Sequence, residues 1–220
     1  MEFIIAGYGK FGQMAARRLA ERFRDAKMIL LDKDPEAFSG RCEPAATEVC
    51  DAAAYLVERR RLLRDSDSWI IPTVPFHLLA RVALEALADL RLARLPGALA
   101  AALPNPYELD DSTMCCSYAD FVCPDDCEEG PTCTVTGEQR KPLFLALEEL
   151  AVPGGRVRIL RSRQLCPGIG GYQARDFFRC IEEIEEGCAL IGTSCRCHAI
   201  LTAVVRGNKI QDNASLKEEK

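Results

Sequence analysis

A glycine-rich segment near the start of the chain has the residue spacing of a loop that binds a dinucleotide. Gly7, Gly9 and Gly12 form a G-x-G-x-x-G motif between a short apolar run and an amphipathic segment. The first glycine of such a motif permits a tight turn, the second lets a pyrophosphate approach the backbone, and the third lets helix and strand pack closely. Free N–H groups at the helix start attract the phosphates. We therefore expect a nucleotide site that also includes Lys10 and Phe11; the alternative is that the glycines serve packing alone.

Two charged residues indicate which dinucleotide this loop would bind. Asp32 follows the next apolar run, at the distance from Gly12 that is typical of the ribose-binding carboxylate. A carboxylate there accepts hydrogen bonds from the ribose hydroxyls and repels a 2′-phosphate, so the sequence favours NAD over NADP. Lys33 weakens this preference, because a neighbouring cation tolerates a phosphate.

Cysteine is unusually frequent, with 12 in 220 residues. Cys42 and Cys50 are isolated, and all the other cysteines follow residue 114. Reducing compartments disfavour structural disulfides, so clustered cysteines in an intracellular chain indicate metal or redox chemistry.

The segment Cys123-Pro124-Asp125-Asp126-Cys127, followed by Cys133, is one candidate metal site. Thiolates in a turn-rich segment can converge on zinc or on an iron–sulfur cluster. The spacing matches neither paired C-x2-C knuckles nor a ferredoxin run, so it does not identify the metal. The alternatives to a metal site are that these cysteines are small buried apolar residues, or that two of them form a disulfide.

A second candidate is Cys195-Arg196-Cys197-His198, between two strand-like segments. Alternate side chains of a strand share a face, so the two cysteines could bind one ion, and a turn would have to bring the histidine to them. If both groups meet, we expect a four-ligand site of Cys123, Cys127, Cys195 and Cys197, with Cys133 and His198 as substitutes.

The elements that would position these residues alternate between strand and helix in the first half of the chain, which predicts an α/β fold. We expect strands at 3–6, 28–31, 47–50 and 68–71, and helices at 11–23, 56–63 and after Pro75. Later we expect helices at 143–150 and 174–186 and strands at 156–160, 188–192 and 200–205. Cys166-Pro167-Gly168-Ile169-Gly170-Gly171 is expected to be a glycine-rich connection, with an anion-binding loop as the alternative.

This pattern predicts a Rossmann-like parallel sheet with helices, then a cysteine-rich segment and a small α+β C-terminal unit. The predicted boundaries are 1–105 for the dinucleotide-binding domain, 106–140 for the cysteine-rich segment, 141–206 for the α+β unit and 207–220 for a polar tail.

Composition excludes several classes of function. The chain is 48% hydrophobic and 28% charged, which is typical of a globular protein. Its net charge of -5 argues against a nucleic-acid partner. No apolar run is long enough to cross a bilayer, and the start lacks the features of a secretory signal. We therefore expect a cytoplasmic protein without membrane insertion.

The first part of the chain, less than half of it, resembles the TrkA N-terminal, or RCK, nucleotide-binding domain of potassium-transport regulators. The similar segments are Ile5-Ala6-Gly7-Tyr8-Gly9-Lys10-Phe11-Gly12 and Leu30-Leu31-Asp32-Lys33-Asp34-Pro35-Glu36. The resemblance covers residues 1–95 and implies that NAD(H) or another adenine nucleotide is bound by the glycines and Asp32. It adds Asp51, after the third strand, and Thr73, after the fourth, as candidate cofactor-binding residues.

Two classes of function fit these observations. The first is an NAD(H)-binding regulatory or redox-sensing protein with a cysteine-bound metal or cluster, and the second is a small NAD-dependent oxidoreductase. No recognisable acid–base set accompanies the glycine loop, so we assign no catalytic residue and favour the first. The candidate partners, besides the dinucleotide, are a membrane transporter, a redox partner protein and a second copy of the chain.

Overall fold

The fold is mixed α/β, with two mixed sheets and helices packed on them. The structure, a computed structural model, describes residues 1–40, 44–152 and 155–207. Cys42 and the predicted tail beyond Gly207 lie outside the described residues.

The described strands are β1 (Glu2–Ala6), β2 (Lys27–Asp32), β3 (Ala46–Val49), β4 (Trp69–Pro72), β5 (Leu90–Leu92), β6 (Tyr107–Glu108), β7 (Thr113–Ser117), β8 (Gly155–Arg161), β9 (Arg163–Cys166), β10 (Ile169–Gln173), β11 (Gly187–Ser194) and β12 (His198–Arg206). The described α-helices are α1 (Lys10–Arg22), α2 (Ala52–Glu58), α3 (Arg60–Leu63), α4 (Leu78–Ala86), α5 (Leu143–Glu148) and α6 (Ala174–Glu182).

The first sheet has the strand order β3-β2-β1-β4-β10-β9. Strands β1 to β4 pair in parallel, so the carboxyl ends of β1, β2 and β4 lie at one edge. Strand β10 runs antiparallel to β4, and β9 runs antiparallel to β10. The predicted parallel sheet is therefore parallel only over its first four strands.

Helices cover both faces of this sheet, because its central strand is apolar on both sides. In β1 the four residues from Phe3 to Ala6 are fully buried. On one face, Ala15 and Leu19 of α1 pack with Phe3 and Leu30. On the other face, α2, α4 and α6 supply a second apolar cluster.

The second sheet has the order β6-β7-β12-β11-β8, and β5 also pairs with β12. Strands β11 and β12 form a long antiparallel hairpin, and β8 pairs in parallel with β11. Helix α5 packs Leu143 and Leu147 against this sheet, beside Leu201.

The two sheets do not follow the order of the chain. The predicted unit 141–206 supplies β9 and β10 to the first sheet and β8, β11 and β12 to the second, whereas β5, within the predicted unit 1–105, joins the second sheet. The predicted cysteine-rich segment contains β6 and β7.

Two local predictions were wrong. The helix expected at 56–63 is two helices, because α2 ends at Glu58 and α3 starts at Arg60. The expected glycine-rich connection at 166–171 contributes to the β9–β10 hairpin instead. At Gly171 a Cβ would lie only 2.7 Å from the carbonyl oxygen of Ile70, so the glycine lets β10 lie close against β4.

Among the described helices, none combines the length and apolar composition needed to cross a membrane.

Candidate functional site

The glycine loop connects β1 to α1, and packing explains two of its three glycines. Gly7 has a φ of +95°, a backbone angle that residues with a side chain rarely adopt. A Cβ at this position would lie 3.0 Å from the carbonyl oxygen of Thr73. At Gly12 a Cβ would lie 2.1 Å from the carbonyl oxygen of Gly7. The turn and the close approach of α1 to β1 therefore both require glycine.

Gly9 differs from the other two glycines. Its φ is -70°, and among the described residues, its two chain neighbours aside, no heavy atom lies within 4 Å of a Cβ built there. Gly9 is the N-cap residue of α1 and offers no side chain to cap the helix. The loop thus leaves open space in front of the α1 N-terminus, beside the exposed side chain of Phe11.

Asp32 lies at the carboxyl end of β2, directly beside this loop. One carboxylate oxygen accepts a hydrogen bond of 2.6 Å from the Tyr8 N–H, and the other accepts one of 3.0 Å from the Asp34 N–H. Each carboxylate oxygen can accept more than one hydrogen bond. Asp32 therefore fixes the glycine loop and retains the capacity to bind hydroxyl groups.

The other predicted cofactor-binding residues have structural contacts at the same edge. The Lys33 ammonium lies 2.6 Å from the Asp51 carboxylate, which also caps α2 by accepting from the N–H groups of Ala53 and Ala54. The hydrogen bond from Lys33 lowers the pKa of the Asp51 carboxyl. The Thr73 hydroxyl lies 2.7 Å from the carbonyl oxygen of Gly7, which joins the end of β4 to the loop.

All six predicted metal ligands line one cavity of about 410 Å³. They are Cys123, Cys127, Cys133, Cys195, Cys197 and His198. The cysteine-rich segment and the C-x-C-H segment, far apart in sequence, therefore meet.

The β11–β12 hairpin positions the C-x-C-H segment, as the sequence predicts. Ser194 pairs with Ala199, so the four residues between them form the tip. The His198 ring lies between two thiols: its Nδ1 is 3.7 Å from the Sγ of Cys195, and its Nε2 is 3.6 Å from the Sγ of Cys123.

Two of the cysteines lie in turns whose backbone N–H groups point at sulfur. The Sγ of Cys195 accepts from the N–H groups of Cys197 at 3.4 Å and His198 at 3.3 Å. Cys133 has the same arrangement with Val135 and Thr136, and bonds from the Thr136 hydroxyl and these amides lower its pKa. Such bonds favour the thiolate, which is the form that binds metals.

Burial acts in the opposite direction on three thiols of this cavity, and at Cys195 it outweighs the N–H bonds. It raises the pKa of Cys195 to about 11 and raises the pKa of Cys123 and Cys197. As placed, no group of three or more Cys, His, Asp or Glu side chains among the described residues is arranged to hold a metal ion. Donors of the right chemical type are thus gathered in one cavity, and the described side-chain contacts among them are those of His198 with Cys195 and with Cys123.

The loop that carries Cys123 and Cys127 is fastened to the first sheet. Arg18 of α1 donates to the carbonyl oxygens of Asp125 at 2.6 Å and Pro167 at 2.8 Å. The carbonyl oxygen of Cys127 accepts from the Gln164 side chain at 2.7 Å and from the Gly168 N–H at 3.0 Å.

The same loop is also fastened to the hairpin tip of the second sheet. Glu129 accepts from the Arg196 N–H, and the Arg196 side chain donates to the carbonyl oxygen of Gly130 at 2.9 Å. Sequence reasoning assigned no role to Arg18, Glu129, Gln164 or Arg196, because each acts through a contact distant in sequence.

A second cavity, of about 400 Å³, lies at the carboxyl end of β4 and includes Thr73 and Val74 in its lining. It shares part of its wall with the cavity lined by the six candidate metal ligands, here called the cysteine cavity. The shared residues are Phe11, Met14, Pro72, Gly168 and Gly170.

Comparisons with known proteins place the chain in a family. A relative from Archaeoglobus fulgidus, named "Uncharacterized protein", is 27% identical over 223 residues, which cover 92% of this chain and 99% of the relative. No solved structure matches the chain. The AF_1314_C family, described as "Uncharacterized protein, C-terminal domain", matches residues 69–207, a range that starts after the glycine loop and includes all six candidate ligands. Because this match spans more than half of its length, the chain belongs to the AF_1314_C family.

Proposed function

We propose that this protein binds NAD(H) at the glycine loop and holds a metal ion or iron–sulfur cluster in the cysteine cavity, as a regulatory or redox-sensing protein. The nucleotide part depends above all on Gly9. Packing accounts for Gly7 and Gly12, whereas no contact within the described part of the chain requires a glycine at position 9. Close approach of a pyrophosphate is a physical reason for a glycine at this position.

The surroundings of Gly9 support an anionic ligand with a ribose. Helix α1 begins directly after this residue and has no side-chain cap, which leaves its first N–H groups available to an anion. Asp32 lies beside the same loop, held by the Tyr8 N–H. The parallel strand order β3-β2-β1-β4 is compatible with a Rossmann-like arrangement and with the resemblance to RCK domains.

The metal part is supported by the chemistry of the donors. Five thiols and one imidazole line a single cavity, and two of the thiols accept backbone N–H bonds. Zinc takes four such ligands in structural sites, and a cluster takes four thiolates. Cys123, Cys127, Cys195 and Cys197 would hold the metal, with Cys133 and His198 as substitutes. The reducing cytoplasm, which the sequence predicts as the location, would keep these thiols free.

A bound metal would join the two sheets, because its ligands come from the loop fastened to β9 and β10 and from the β11–β12 tip. Such a site would transmit its own loss or oxidation to both sheets. This is the physical basis for a sensing role. A membrane transporter, implied by the RCK resemblance, a redox partner protein or a second copy of the chain would receive the signal.

The alternative function is that of a small NAD-dependent oxidoreductase. The observation that supports this alternative is the wall shared by the two cavities. A nucleotide at the end of β4 would lie next to the thiols, where electrons could pass to a thiol-bound centre.

One titration tests the proposal and distinguishes the two functions. NADH is added to protein purified without oxygen, binding is measured by calorimetry, and the absorbance of the reduced nicotinamide is followed. A sensor binds NADH and leaves it reduced, whereas an oxidoreductase oxidises it when an acceptor is supplied. Absence of binding contradicts both functions.

A further inference from the structure

The cavity at the end of β4 is positioned to receive the second half of a bound dinucleotide. In open α/β sheets ligands lie beyond the carboxyl ends of the strands, in the crevice where the strand order reverses. Here β1 lies between β2 and β4, the loop with Gly9 follows β1, and Asp32 ends β2. A pyrophosphate at Gly9 with its adenosine ribose at Asp32 would extend toward β4.

The wall of this β4 cavity is also a wall of the cysteine cavity. Its far side contains Gly168 and Gly170 of the β9–β10 hairpin. The Gly168 N–H donates to the carbonyl oxygen of Cys127, and a Cβ on Gly168 would lie 1.7 Å from the carbonyl oxygen of Asp125. The backbone of the hairpin thus lies directly between the β4 cavity and the loop that carries Cys123 and Cys127, here called the cysteine loop.

Phe11 forms the near side of the same wall. It lies in the first turn of α1, two residues beyond Gly9, and lines both cavities. Its side chain is 54% exposed, which leaves apolar surface available to a planar ring.

We propose that the nicotinamide end of the bound dinucleotide lies in the β4 cavity, between Phe11 and the hairpin that supports Cys127. This inference rests on the proposed nucleotide binding and adds where the reactive ring lies. The ring then covers the cysteine cavity on the side of Cys127. Nucleotide binding and the state of the cysteine loop are coupled through this contact, and the coupling is reciprocal.

ADP-ribose, which has the pyrophosphate and both riboses but no nicotinamide, is the matched probe. The reduced, chelator-treated full-length chain is alkylated with iodoacetamide in the presence of NADH or ADP-ribose, each at ten times its Kd, and peptides are quantified by mass spectrometry. Cys188 is the internal control, because it is exposed and lies at the opposite end of β11 from the hairpin tip.

At ten times the Kd about a tenth of the protein remains unbound, so we expect NADH to slow alkylation of Cys127 about tenfold. The alkylation rate of Cys188 should not change. ADP-ribose should bind without protecting Cys127. Equal protection by both ligands, or binding of both without protection, overturns the inference. Failure of both ligands to bind contradicts the proposed nucleotide function itself.

A second measurement on the chain as purified does not depend on metal removal. Phe11→Ala should weaken NADH binding about tenfold, the effect of losing about 1.4 kcal/mol of apolar contact, and leave ADP-ribose affinity unchanged. Leu62→Ala is the control, because Leu62 is an exposed apolar residue outside both cavities. Unchanged NADH affinity in Phe11→Ala, or equal losses for both ligands, contradicts the position given to the ring.

Discussion

The Sγ of Cys123 and the Nε2 of His198 lie 3.6 Å apart although 75 residues separate them in sequence. Cys123 belongs to a loop fastened to the first sheet, and His198 begins β12 of the second. The contact therefore joins the two sheets at the cavity where the thiols are concentrated, which is the proposed metal site.

Protein purified without oxygen should contain a transition metal at about one equivalent, or iron with visible absorption if a cluster is present. Replacing both Cys123 and Cys127 by serine should remove that metal, since serine is a poor ligand for these ions. Elemental analysis and absorption spectra measure both effects. Cys188→Ser, outside the cavity, is the control. Absence of metal in the unaltered protein would leave the cysteines as packing residues.

Arg18 should hold the cysteine loop in place. Arg18→Leu removes two hydrogen bonds from a charged donor, and because the side chain is partly exposed we expect a loss of about 1–2 kcal/mol in local stability. Limited proteolysis should then cleave between residues 118 and 140 about tenfold faster. The exposed neighbour Arg17 provides the control variant Arg17→Leu. Equal cleavage rates in the two variants would show that Arg18 does not restrain the loop.

His77 should make folding stability depend on pH. It is buried at the N-cap of α4, its Nδ1 lies 2.8 Å from the Thr202 hydroxyl, and burial lowers its pKa to about 3. In the unfolded chain the imidazole has its ordinary pKa, so below about pH 6.5 the unfolded chain takes up a proton that the folded chain does not. The free energy of unfolding is therefore highest above about pH 6.5 and falls as the pH is lowered.

His77→Asn tests this effect, because asparagine can place a polar atom near the position of Nδ1 without titrating. Between pH 6.5 and 5 the free energy of unfolding should fall by about 1.5 kcal/mol more in the unaltered protein than in His77→Asn. Denaturant titrations at the two pH values measure the difference. Parallel pH profiles would mean that the imidazole is accessible to protons in the folded state.

Asp32 should select NADH over NADPH. Its carboxylate would repel a 2′-phosphate, and we expect NADPH to bind at least about tenfold more weakly, a difference of ~1.4 kcal/mol. Asp32→Asn keeps an acceptor for the Tyr8 N–H and removes the charge, so the difference between the two ligands should shrink. Equal affinities in the unaltered protein would remove Asp32 from the ribose site.

The sequence predicted those parts of the fold that depend on local pattern. Strand β1 and helix α1 lie within two residues of their predicted bounds, because an apolar run, a glycine turn and a four-residue repeat each act over a few residues. The β9–β10 hairpin was missed, because Gly170 and Gly171 resemble a turn, and only the neighbouring β4 makes Gly171 a strand residue.

The candidate site shows the same division. Residue type indicated the six candidate ligands that line the cavity, and the strand-like segments on either side of the C-x-C-H segment predicted a turn there. Their meeting in one cavity depends on Arg18, Gln164 and Glu129, whose partners are distant in sequence. The burial of His77 likewise depends on β12 and has no local signal.

Gly9 provides the most direct test of nucleotide binding, because its substitution separates the ligand from the fold. Gly12→Ala is the contrasting variant: its Cβ would overlap the carbonyl oxygen of Gly7, and a destabilisation of about 1–3 kcal/mol is expected. In Gly9→Val the new side chain enters open space, and stability should change by about 1 kcal/mol or less.

The decisive measurement is a calorimetric titration of NADH into the unaltered protein and into Gly9→Val, after thermal unfolding has shown that both are folded. The account predicts binding to the unaltered protein and at least a tenfold loss of affinity, about 1.4 kcal/mol, in Gly9→Val. Equal NADH affinity in the two proteins would contradict it.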